Sequence, residues 1–81
     1  MNKVEQSIRE YLSLQHPREE NFWMNLDGNA VLTEPRIGLV ARDLLYLYFF
    51  IKKEYGIQLL ENDVVNYGLI SINQIVQRIQ S

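Results

Sequence analysis

Cysteine is absent from this chain of 81 residues. That excludes disulfides and thiolate metal sites and leaves the apolar core to stabilise the fold unaided. Histidine occurs once, at His16, so zinc sites and histidine-activated nucleophiles lack their parts. An excess of basic charge is missing too. Eight Lys and Arg stand against ten Asp and Glu, for a net charge of −2, which argues against nucleic acid as a partner. No apolar run approaches the ~20 residues that span a bilayer. The opening stretch, MNKVEQSIRE, has no signal-peptide apolar region. A soluble cytoplasmic protein without a membrane partner is therefore expected. Gly28 and Gly38 are isolated and make no phosphate-binding loop.

What is present suits one small globular domain over residues 1–81. Hydrophobic content is 47% and charged content 22%, which separates the chain from disordered sequences. Its length is near the lower limit at which one core suffices.

The organising stretch is Val40 to Ile57, VARDLLYLYFFIKKEYGI. At roughly 100° per residue, Leu44, Leu47, Tyr48, Ile51 and Tyr55 share one face, with Arg42, Tyr46, Phe49 and Lys53 opposite. A helix of about four turns is expected, ended by Gly56 in the left-handed conformation that closes many helices. Two aromatics on the outward side exceed what an amphipathic helix needs.

Before it, Asn2 and Glu5 read as a helix start. Val4, Ile8, Leu12 and either Tyr11 or Gln15 form the stripe of a first helix. Lys3, Glu5, Arg9 and Glu10 fall mostly on a solvated face, and Pro17 stops the helix near Gln15. Residues 16–40 lose regularity. A connection this long is uncommon unless packed or functional, and with Phe22, Trp23, Met24, Leu26, Val31, Leu32, Ile37 and Leu39 in it, the loop is expected to fold back over the bundle. A turn or two of helix is expected at Glu19–Met24. After the central helix a brief helix is expected within Glu61–Tyr67. A last helix then opens on a capping box of Ser71 and Gln74 with Ile70 as its staple. Ile8, Leu12, Leu44, Leu47, Ile51, Tyr55, Ile72, Val76 and Ile79 are the expected core of an all-α four-helix bundle.

That order of elements resembles the acyl carrier protein fold. Glu54-Tyr55-Gly56-Ile57 looks like the Glu-Phe-Gly-Ile ending of the family's second helix. Counting back by the family spacing places Ala41 where the phosphopantetheine serine would be, in Val40-Ala41-Arg42-Asp43 instead of Asp-Ser-Leu-Asp. Within the family, Leu39 to Leu47 is most similar to acyl carrier-related proteins of bacterial peptide-maturation gene clusters. The resemblance implies a four-helix bundle with a long loop between helices 1 and 2 and a short third helix. Ala41 has no hydroxyl for a phosphodiester, and the serines Ser7, Ser13, Ser71 and Ser81 lie far from it in sequence. No cofactor is expected. Arg42, Lys52 and Lys53 also reverse much of the acidic character of the family's docking helix.

His16, before a proline at a helix end, reads as a surface residue more readily than as a catalytic base. Asp43 could pair with Arg42 or Arg36, or favour the helix N-terminus through the dipole. Phe22 and Trp23 read as core. The expectation is a non-catalytic, acyl carrier-related interaction module. Its partners would be biosynthetic or peptide-modifying enzymes, or a precursor peptide. The docking residues would be Arg42, Tyr46, Phe49 and Lys53, with Phe50 at their edge. The alternative is a working acyl carrier or an acyl-chain-binding relative; an enzyme is the weakest reading.

Overall fold

Asn2 starts the first helix by accepting from the Glu5 amide at 2.7 Å, which satisfies one of the orphan donors of a helix N-terminus. A computed structural model of the chain describes residues 2–58 and 70–80. Among them are four α-helices and no strand: α1 Lys3–Gln15, α2 Phe22–Asn25, α3 Ala41–Tyr55 and α4 Ile72–Gln80. The expected brief helix within Glu61–Tyr67 lies outside the described residues. The radius of gyration, 11.6 Å, equals the value of about 12 Å for a compact chain of this length.

The inner face of α3 is the predicted one, since Leu44, Leu47, Tyr48 and Ile51 are buried. Tyr55 is only partly buried and packs at the core's margin, as does Ile79 of α4. Ile75 shares the apolar stripe of α4 with Ile72 and Val76 and is fully buried. Gly56 closes α3 at φ 70°, its N–H donating to the Lys52 carbonyl at 2.9 Å. On α4 both halves of the capping box form. The Gln74 amide donates to Ser71 Oγ at 3.2 Å and the Ser71 amide donates to Gln74 Oε1 at 2.8 Å.

Residues 16–40 pack inward as expected, and Trp23, Leu26, Leu32, Ile37 and Leu39 complete the core. Their backbone groups bond locally, through the Ala30 amide to the Asp27 carbonyl, Glu34 to Val31 and Ile37 to Glu34, at 2.9–3.0 Å. Two bonds between residues distant in sequence fasten the segment to the start of α4: Leu32 N–H to the Ile70 carbonyl at 3.0 Å, and Asn73 N–H to the Gly28 carbonyl at 2.9 Å. The Asn73 side chain lies so close over Gly28 that a Cβ there would collide with it. A side chain at position 28 would displace Asn73 from its bond to Asn29 Oδ1.

Arg9 corrects the expected solvated face of α1. It is buried, with Nη1 donating to the carbonyls of Trp23 and Leu26, both at 2.7 Å, while Nε meets Glu5 at 2.9 Å. A guanidinium can do this because its fork presents several fixed donors at once. It supplies partners to two buried carbonyls around α2, which is too short to satisfy its own ends. The Trp23 indole N–H donates to the His16 carbonyl at 2.7 Å, so α2 is tied to α1 at both ends.

Candidate functional site

The first turn of α3 is set by Asp43. Its carboxylate accepts from the Val40 amide at 3.0 Å and lies 3.9 Å from His16 Nε2. The dipole-end role expected for Asp43 is compatible with this placement, but its partners are Val40 and His16 and not Arg42 or Arg36. Arg36 instead pairs with Glu34. Tyr11 stacks on Phe50 with ring centroids 4.3 Å apart. Contacts of 11 with 50 and 16 with 43 make α1 and α3 antiparallel. Burial, and then the Asp43 charge, push the Tyr11 phenol above its ordinary pKa. Of the two residues that could have completed the α1 stripe, Tyr11 turns inward and Gln15 is exposed.

With the inner face fixed by Leu44, Leu47 and Ile51, the helical period turns Arg42, Tyr46, Phe49 and Lys53 outward, and all four are exposed. Tyr46 retains 55% and Phe49 63% of its accessible surface. Leu45 and Val40 are exposed beside them. The folded-back loop therefore leaves this face open, because its large side chains point into the core. Phe50 stands apart from the other four. It is half-buried against Tyr11 and belongs to the seam between α1 and α3.

Arg42, Lys52 and Lys53 have no ion-pair partner among the described residues, and Glu54 is the one exposed carboxylate on α3. Lys52 and Lys53 sit in the last turn, where cations complement the helix dipole. Arg42 sits in the first turn, where a cation opposes it.

Ala41 is the first residue of α3 and is exposed. The described serines lie elsewhere: Ser7 and Ser13 within α1, and Ser71 buried as the cap of α4. Among the described residues no group of three His, Cys, Asp or Glu side chains could hold a metal ion, and no helix is long and apolar enough to cross a membrane.

A concavity of about 270 Å³ lies beside α2 and is lined by Ser13, Arg18, Glu19 and Phe22 among others. Its cation is already engaged: the Arg18 guanidinium sits 4.0 Å above the Phe22 ring and donates to the carbonyls of Ile37 and Arg36 at 3.3 Å. Sequence reasoning missed this anchoring, as it missed Arg9, because the acceptors are backbone groups many residues away. No protein-family model matches the chain, and no curated protein or solved structure matches it significantly.

Proposed function

We propose that this chain is a non-catalytic interaction module related to acyl carrier proteins, serving a peptide-maturation or other biosynthetic pathway without carrying phosphopantetheine. The observation that carries the reading is the pair of aromatics, Tyr46 and Phe49, left in water on the outward face of α3. Aromatic and arginine side chains are favoured in interface hot spots, and a contiguous exposed apolar patch marks an interaction site more often than chance. Supporting it on the chemical side, Ala41 opens α3 where a carrier would present its serine.

Two measurements test the proposal. Tyr46→Ala and Phe49→Ala should change stability by less than about 0.5 kcal/mol each, as surface substitutions do, while weakening recovery of partner proteins from a native lysate. Unfolding of the domain by both changes would reassign the aromatics to the core. Separately, incubation with a phosphopantetheinyl transferase and coenzyme A should leave the intact mass unchanged. A gain matching the prosthetic group on any residue would restore the working-carrier alternative.

A further inference from the structure

We propose, resting on the docking reading of α3, that the partner presents an acidic-apolar polypeptide segment: two groups of carboxylates flanking a pair of large apolar side chains. The whole chain is acidic, at −2, yet α3 exposes three cations, Arg42, Lys52 and Lys53, against one carboxylate, Glu54. Arg42 gives the sharpest indication. It opposes the helix dipole and has no ion pair among the described residues, so its charge serves no fold contact among them.

The spacing defines what would fit. Arg42 stands at one end of the face and Lys53 at the other, about 16 Å apart along the axis at 1.5 Å per residue. Leu45, Tyr46 and Phe49 lie between them, and i, i+3 and i, i+4 neighbours on a helix form one patch. A segment that seats large apolar side chains on this patch brings its flanking positions over Arg42 and over Lys52 and Lys53. Carboxylates at those positions would be paired, whereas ammonium groups would be repelled.

An anionic membrane offers the same sign of charge but a poorer shape. Interfacial helices keep their cations on the polar face, beside the apolar stripe. At 100° per residue Arg42 and Lys53 fall within the sector bounded by Phe49 and Tyr46, so insertion of the aromatics would carry both cations into the acyl region. A polypeptide with matched carboxylates avoids that desolvation.

The test uses the full chain and a synthetic amphipathic peptide with glutamates about three helical turns apart and Leu and Phe between them. A second peptide carries lysines in place of the glutamates. Amide shift mapping should confine binding of the acidic peptide to residues 41–54, with affinity falling as salt is raised. Arg42→Glu combined with Lys53→Glu should weaken that binding by about tenfold or more and transfer preference to the lysine peptide. The milder pair Arg42→Gln and Lys53→Gln should weaken binding without the transfer, and it serves if the reversed variant is unfolded. Equal binding of both peptides to the wild-type chain overturns the inference, as does binding away from α3. Co-sedimentation with phosphatidylglycerol vesicles that Arg42→Gln with Lys53→Gln abolishes would assign the face to a membrane instead. If Phe49→Ala abolishes recovery of a cellular partner and the charge variants leave it intact, docking on α3 stands and the acidic partner falls. If none of the variants affects recovery, both readings fall.

Discussion

Arg9→Leu is expected to lower the unfolding free energy by about 3–5 kcal/mol, the range for breaking a buried, hydrogen-bonded charge. Leucine fills much of the space but leaves the buried carbonyls of Trp23 and Leu26 without their donor, and each unsatisfied group costs about 1–3 kcal/mol. The orphaned Glu5 keeps about a fifth of its side chain in water, so rehydration holds the loss to the lower part of the range. Against a total of roughly 4–12 kcal/mol for a domain of this size, the change is large. Arg9→Lys should recover only part of it, because an ammonium lacks the planar fork that reaches two carbonyls and a carboxylate together. Urea denaturation followed by far-ultraviolet circular dichroism measures both. A midpoint for Arg9→Leu within error of the wild type would show that the two carbonyls find water in its place.

Ile51→Ala should cost about 2–5 kcal/mol, the transfer free energy of the lost methyl and methylene groups plus the cavity left behind. Ile51 is fully buried at the centre of α3's inner face, between Leu47 and the partly buried Tyr55. Leu45→Ala, on the same helix but 43% exposed, is the matched control and should cost less than about 1 kcal/mol. Equal midpoint shifts for the two variants would mean that the helix is rotated from the orientation described.

Much of this architecture was legible because its signals are local. Asn2, Ser71 with Gln74, and Gly56 act within three or four residues of themselves, so cap chemistry marks the helix ends directly. The inner face of α3 follows from the 3.6-residue period alone. The stripe of α4 is equally local, since Ile72, Ile75 and Val76 follow the same period and are buried. Arg9 was misplaced because a charged residue off the apolar stripe reads as solvated, and its acceptors lie 14 and 17 positions away on the backbone. Residues 16–40 have no periodicity to read: they are built from single turns, including Asn21 at φ 63° and Gly38 at φ 81°, whose order is set by what they pack against.

The candidate surface divides along the same line. Arg42, Tyr46, Phe49 and Lys53 could be aligned from spacing, since the buried residues fix the outward ones. Phe50 was placed at the edge of that face, but spacing could not show its half-burial, which depends on Tyr11 of another helix.

Trp23, the chain's one tryptophan, is buried, edge-on to Phe22 at 5.0 Å and bonded through its indole to the end of α1. Excitation of that indole therefore interrogates a single place, the junction of α1 and α2. Its emission depends on local polarity and shifts to longer wavelength when water reaches the ring. Loosening of this junction ahead of the rest of the domain would be seen as a red shift that precedes the loss of helical ellipticity. The native chain thus contains an optical gauge of whether Arg9 and Trp23 release together with the core or before it.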